Sequence, residues 1–141
     1  MFNKDFTVEG MNEFSKNSMV GHIGIEFTEI GDDYIKARMP VDHRTVQPLG
    51  LLHGGASVTL AETMGSIGAV MLTDMNTQSC VGLEINANHI RAAKKGFVVG
   101  VARPVHVGKK TQVWEIKISN EEDQLVCISR ITIAVIDKKA G

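Results

Sequence analysis

Cysteine is scarce: only Cys80 and Cys127 occur among the 141 residues. Two thiols cannot make the disulfide framework of a small secreted fold, and their separation fits no metal-ligand spacing. They are expected to be reduced, part-buried small hydrophobes, as suits a cytosolic protein. Charge of one sign is also lacking. A formal net charge of −1 supplies no global field for nucleic acid, so an anionic ligand must find a local cluster of bases. Residues 1–10 carry acids and no apolar stretch, unlike a secretory signal. Repeats, low-complexity tracts and linkers are absent, so residues 1–141 read as a single domain. What is present is ordinary. A content of 43% hydrophobic and 22% charged residues matches a globular protein long enough to bury a core.

One apolar segment is unusually long. Residues 49–72 contain five glycines, yet they also include His53, Ser57, Thr59, Glu62, Thr63 and Ser66. A charge near the middle of a membrane span costs about 2.5–3.5 kcal/mol on the insertion scale, and no aromatic belt or flanking basic cluster compensates here. The segment is therefore expected to form a core helix over residues 54–73, buried on all its faces. A helical lead-in is expected within residues 1–18, over 6–17. Strands are expected at 23–30 and 33–40, split by Gly31-Asp32, and at 80–90, 96–106, 111–119 and 124–136. Ile35, Ala37 and Met39 alternate with Lys36 and Arg38, as Trp114, Ile116 and Ile118 do with Glu115 and Lys117. Asn120-Glu121-Glu122-Asp123 reads as the last hairpin connection, and residues 138–141 as a frayed tail. This order predicts an α+β fold in which a largely antiparallel sheet curls around one long helix.

The run Gln47-Pro48-Leu49-Gly50-Leu51-Leu52-His53-Gly54-Gly55-Ala56-Ser57 leads into that helix, and Glu62 lies two turns inside it. The pattern fits acyl transfer. Gly54-Gly55 opens the helix, where backbone N–H groups have no intrahelical partner, and no Ser, Thr, Asp or Asn precedes Gly54 to cap them. The helix dipole favours negative charge there, and glycine permits close approach. One such donor to a developing oxyanion is worth about 2.7–4 kcal/mol. Glu62 is expected to be buried in apolar surroundings, its pKa raised by desolvation unless it is paired. Ser66 shares its face one turn on and could orient a water. Gln47 can steer water or substrate without titrating, whereas His53 either donates toward a carbonyl oxygen or fixes the loop. Residues 85–114 hold no acid but carry Arg91, Lys94, Lys95, Arg103, Lys109 and Lys110, with His89 and His106. That is a local cationic stretch suited to phosphates.

Met39-Pro40-Val41-Asp42 with Arg44-Thr45, the glutamine-to-serine run above, Leu60-Ala61-Glu62, Val81-Gly82-Leu83-Glu84-Ile85-Asn86-Ala87-Asn88-His89, and Pro104 through Gly108 with Trp114 resemble the hotdog-fold thioesterases. The nearest group is the aryl-CoA thioesterases that hydrolyse 1,4-dihydroxy-2-naphthoyl-CoA in menaquinone synthesis, together with their enterobactin-pathway proofreading relatives. The resemblance implies a curved antiparallel sheet wrapped around the long helix. It implies Glu62 as general base or nucleophile and the Gly55 N–H as the group polarising the thioester carbonyl, with Gln47 and His53 beside them. It also implies coenzyme A contacts from Gly82, His89, Ile90, Arg91, Ala92, His106, Val107, Gly108, Lys109, Lys110 and Thr111. By the same resemblance the protein is a homo-oligomer, a tetramer made of two dimers, with Glu62 of one subunit facing Gln47, His53 and Gly55 of another. No metal or redox cofactor is expected, coenzyme A being part of the substrate, and neither nucleic acid nor membrane is an expected partner.

Other chemistries find less support. His22, His43, His53, His89 and His106 make no close pair with zinc spacing, and no Gly-x-Ser-x-Gly elbow or Cys/His arrangement offers a nucleophile. A hydratase of the same fold would need a His/acid pair aimed at the acyl chain. An acyl-CoA sensor would need a helix-turn-helix segment, for which the lead-in has no room. The acyl group stays open: Met64, Ile67, Gly68 and Met71 line either an apolar pocket or the core, and the thiol carrier is either coenzyme A or an acyl carrier protein.

Overall fold

The computed structural model describes residues 1–139. Helix α1 (Val8–Ser15) starts where the Thr7 side chain accepts from the Gly10 N–H at 3.0 Å. The single lead-in helix expected over 6–17 is broken in two. Ser18 Oγ donates to the Ser15 carbonyl (2.7 Å), closing α1, and accepts from the Val20 N–H (3.3 Å), opening the four-residue α2 (Met19–His22). Ahead of them the chain is not helical, and Phe2 stacks on Trp114 with ring centroids 6.1 Å apart. Gly24, at φ +82°, turns the chain out of α2, so the first strand begins later than expected, as β1 (Glu26–Ile30). It is followed by β2 (Ile35–Pro40), the long helix α3 (Gly54–Met71), β3 (Gln78–His89), β4 (Phe97–Val107), β5 (Thr111–Ser119) and β6 (Leu125–Asp137). The β5–β6 turn is closed by Asn120 Oδ1, which accepts from the N–H groups of Glu122 (3.0 Å) and Gln124 (2.9 Å).

All strand pairings are antiparallel, in the order β1-β2-β4-β5-β6-β3. The sheet holds α3 against its inner face, where Ile35, Ala37, Met39, Trp114, Ile116, Ile118, Ile131 and Ile133 meet Leu60, Ala61, Met64 and Ala69. This is the antiparallel sheet around one long helix that the order of elements predicts. Residue 138 departs from the expected frayed tail: the Lys138 N–H donates to the Thr77 carbonyl at 2.9 Å, and its ammonium reaches the Met75 carbonyl. Residues 140–141 lie outside the described residues. Cys127 is fully buried and Cys80 half-buried, where its thiol meets Thr73 Oγ1 at 3.3 Å. Among the described residues no helix is long and apolar enough to cross a membrane.

One expectation fails in an informative way. Helix α3 is not covered on all faces, because the described residues supply one sheet and two short helices around it. Leu60, Ala61, Met64, Gly65, Gly68, Ala69 and Met71 are buried, whereas Glu62 is exposed and Thr59, Thr63, Ser66, Ile67 and Val70 are half-buried. Met64, Gly68 and Met71 therefore belong to the core, and of the four candidate pocket residues Ile67 alone faces an opening. The C-terminal end of α3 is tied by a buried polar group. Gln112, 1% exposed, accepts from Trp114 Nε1 (2.8 Å) and donates to Thr73 Oγ1 (3.2 Å), which itself donates to the Ala69 carbonyl (2.7 Å). Otherwise-unpaired carbonyls of a helix end are satisfied in this way.

Glycine on the sheet side sets how closely the helix lies. A Cβ on Gly68 would stand 2.6 Å from the Trp114 ring, whose residue is fully buried and cannot retreat. Gly68→Ala is expected to destabilise the fold by about 1–3 kcal/mol, overriding the helical preference for alanine. Gly82→Ala, whose nearest neighbour would be 3.9 Å away, should leave stability almost unchanged. Urea unfolding of the two variants checks the contrast.

Candidate active site

The loop from β2 to α3 is shaped by short-range polar contacts. Asp42 Oδ1 accepts from the Arg44 N–H (2.9 Å) and Oδ2 from the Arg44 guanidinium (2.7 Å). The hydrogen bonds from Arg44 pull the Asp42 carboxyl down from its ordinary 3.8 to about 2. Buried Thr45 donates to the Pro40 carbonyl at 2.7 Å, and its own carbonyl accepts from the His53 N–H at 2.8 Å. Val46 and Leu52 form an isolated bridge that pinches residues 47–51 into a tight loop, with Gly50 at φ +84°. In that loop Gln47 Oε1 accepts from the Leu49 N–H at 2.5 Å, leaving the amide nitrogen as its free end.

His53 caps α3. Its Nδ1 accepts from the Gly55 N–H at 2.8 Å. An imidazole can do this two residues ahead, as an aspartate or asparagine does, so the expectation of an uncapped helix start is corrected. The Gly55 N–H is engaged within the chain, and His53 is the tautomer with its proton on Nε2. The Gly54 N–H, by contrast, has no acceptor among the described residues. A Cβ at Gly54 would lie 2.8 Å from His89 Nε2, so a larger residue there would have to push the exposed His89 ring aside. Gln47, Leu52, Gly54, Ser57, His89 and Arg91 border one cavity of about 350 Å³, with Ile90 and Ala92 at its side. Buried Ser57, one turn after His53, was not singled out from sequence, although its i,i+4 spacing places it under the loop.

Glu62 and Ser66 open elsewhere. They border a cavity of about 480 Å³ together with Thr63, Phe14, Val20 and Phe27. The expectation of a buried Glu62 is corrected: the residue is exposed, on a face of α3 that the described residues leave uncovered. Phe14, on α1, reads in the sequence as part of the helical spacing Phe6, Met11, Phe14 and not as a site residue; the structure leaves it exposed.

The remaining candidates lie at the other end of the sheet. Gly108, Lys109 and Lys110 edge a cavity of about 650 Å³ with Thr73, Gln78 and Asp137, and His106, Val107 and Thr111 are exposed nearby. Gly82 pairs with Ile133, which pairs with Gln112, whereas His89 pairs with Cys127. Seven residues of strand separate the two groups, about 23 Å at the usual rise. The cationic stretch is thus not one patch. Arg91 serves the first cavity, Arg103 lies over the Tyr34 ring at 5.0 Å, and Lys94 and Lys95 sit beside Glu121 and Glu122. Among the described residues no three His, Cys, Asp or Glu converge in a way that could hold a metal ion.

Residues 49–127 match the family model described as the thioesterase superfamily. The chain is 49% identical over 136 residues to the 1,4-dihydroxy-2-naphthoyl-CoA hydrolase of Escherichia coli, covering 96% of this chain and 99% of that one. It is 48% identical over 136 residues to the proofreading thioesterase EntH of Cronobacter turicensis, covering 96% and 98%. A thioesterase from Pseudomonas aeruginosa, crystallised as a glutamine-to-alanine mutant, superposes with a TM-score of 0.95 at 44% identity, covering 97% of this chain and 99% of that one. A Staphylococcus aureus thioesterase was crystallised as a glutamate-to-alanine mutant, which superposes with a TM-score of 0.83 at 40% identity, covering 86% of this chain and 100% of that one. A separate glutamine-to-alanine mutant of the same protein gives a TM-score of 0.81 at 40% identity, covering 84% and 98%.

The cap and the turn are both open to test. His53→Ala should lower stability by about 0.5–2 kcal/mol, and His53→Asn should recover most of it, because asparagine can also accept from the backbone two residues on. Thermal melts of both variants decide this. The Asp42 carboxyl, held at about 2 rather than 3.8, contributes stability that is present above its ordinary pKa and lost as pH falls through its folded one. The stability gap between wild type and Asp42→Asn should therefore narrow as pH is lowered from about 4 to about 2, read by acid titration of the melting temperature.

Proposed function

This chain belongs to the thioesterase superfamily and is a thioester hydrolase, and from that premise we propose that its substrate is an aryl-CoA thioester cleaved at a site built by two subunits. The observation that carries the proposal is the separation of two half-sites: Glu62 with Ser66 on one opening, and Gln47, Gly54 and His89 on another. Strand β3 supports the sharing. It is an edge strand of 12 residues with Val81 and Leu83 exposed, and a long unpaired edge invites pairing with another chain. Half-exposed Val99, Val101, Val113 and Ile128 on the outer face of the sheet would give a second interface, hence a dimer of dimers.

In the composite site the thioester carbonyl oxygen takes the Gly54 N–H, with the His53 Nε2–H and the free amide of Gln47 close by. The Gly54 donor replaces the Gly55 one expected from sequence, since Gly55 is spent on His53. Glu62 of the other subunit removes a proton from water as its oxygen bonds to the carbonyl carbon, or attacks that carbon itself to give an anhydride that water then opens. Ser66 orients the water. Collapse breaks the C–S bond, and the thiolate leaves with the proton. The reaction needs water and no other cofactor. His89, Ile90, Arg91 and Ala92 flank the exit of the leaving group, Arg91 meeting a phosphate. Gly82 and residues 106–111 would take part only from a neighbouring subunit. In the Staphylococcus relative the two mutated residues stand fifteen positions apart, the separation of Gln47 and Glu62 here, which supports roles for both.

The aromatic acyl group rests on the Escherichia coli relative, but the proofreading relative is as similar, so thioesters of a carrier protein form the second reading. Thiol release from 1,4-dihydroxy-2-naphthoyl-CoA, benzoyl-CoA, a medium-chain acyl-CoA and an aroyl carrier protein ranks them. Glu62→Gln should lower the rate about 10²–10⁴-fold, as loss of a general base does, and further if it is the nucleophile. A variant that keeps wild-type rates would sink the assignment of Glu62, and a wild type that binds esters without releasing thiol would be a sensor.

A further inference from the structure

Two cavities meet at one side chain. The cavity that holds Glu62 and Ser66, about 480 Å³, is also lined by Phe14, Ile67 and Val70. The same three residues bound a second cavity of about 460 Å³ beneath α1, which continues past Phe6, Met11 and Met75. Ile67 and Val70 run along the floor of both from α3. Phe14 is the residue of α1 that lines both.

The helix under that ring is firmly held, and the ring is not. Asn12 donates to the Phe27 carbonyl (3.0 Å) and accepts from the Phe27 N–H (2.8 Å), stitching α1 to the backbone of β1. Met11 is buried at 3% exposure, while Phe14 two residues beyond Asn12 is 86% exposed. A large aromatic with so little packing of its own can end a pocket or swing from it, without the cost of disturbing a core.

We propose that Phe14 determines acyl specificity by partitioning the acyl pocket: its ring stops the Glu62 cavity after a compact aromatic acyl group, and the second cavity is the extension it withholds from longer chains. This rests on the reading of the Glu62 cavity as the acyl end of a thioesterase site. The continuity of the two cavities along Ile67 and Val70 identifies the withheld occupant as the distal methylenes of a straight-chain acyl thioester. Each methylene moved from water into an apolar cavity favours binding about fourfold.

The test compares kcat/KM for benzoyl-CoA and dodecanoyl-CoA in wild type, Phe14→Ala and Phe14→Tyr, with the oligomeric state of each followed by light scattering. The dodecanoyl-to-benzoyl ratio is expected to rise at least about tenfold in Phe14→Ala, through KM, and to stay at the wild-type value in Phe14→Tyr. An unchanged ratio in Phe14→Ala overturns the proposal. So does a uniform loss on both esters with altered assembly, which makes Phe14 an interface contact. Equilibrium binding of the same two esters to Glu62→Gln and to Glu62→Gln/Phe14→Ala reads the partition without turnover. A wild type that hydrolyses neither ester then sinks the thioesterase reading, while an unshifted binding preference sinks the partition.

Discussion

The close approach of α3 to the sheet is the constraint on which the rest depends. The helix is 18 residues long and lies against strands with little room for side chains on its inner face. Three glycines make the fit: a Cβ on Gly65 would collide with Ile131, one on Gly68 with Trp114, and one on Gly100 of β4 with the Met64 sulfur. Close-packed interiors tolerate little added volume, so these positions set the helix height above the sheet. Gln112 and Thr73 then tie its C-terminal end, and His53 ties its N-terminal end. A helix located at both ends aims its first N–H groups in a fixed direction.

That location gives the chemistry its character. At the helix start the dipole favours negative charge, but not every N–H is free to meet it. His53 absorbs the Gly55 donor and leaves the Gly54 one, which lies under the exposed His89 ring. The capping residue thus selects which backbone group faces the cavity and fixes its own tautomer in the same contact. On the opposite side α3 shows Glu62 to an uncovered face. A carboxylate there is cheap to carry in one chain and acquires a low-dielectric setting only when something covers it.

Much of this was legible beforehand. Alternation of Ile35, Ala37 and Met39, and of Trp114, Ile116 and Ile118, marked strands whose buried faces are those residues. The turn at residues 120–123 and the glycine pair at the helix start were also where the composition placed them. Boundaries at the N-terminus were not, because Ser18 closing one helix and opening the next is a side-chain choice with no periodic signature. The exposure of Glu62 is not legible, because an apolar segment reports the average hydrophobicity of a helix and says nothing about what covers each face. The basic stretch is contiguous in sequence and not in space: strands run about 3.3 Å per residue, so its members separate to opposite ends of the sheet.

By itself the sequence determined the elements, their order, the family they belong to and the residue types that acyl transfer requires, since these depend on local spacing and on which side chains can be buried. Tertiary structure alone decided that His53 spends the Gly55 N–H and leaves that of Gly54, that Glu62 and Gln47 open onto different cavities, and that Phe14 lines two of them. Those are matters of direction and distance between segments far apart in the chain. They are fixed by how closely a glycine-lined helix can lie on a twisted sheet, which no local pattern encodes.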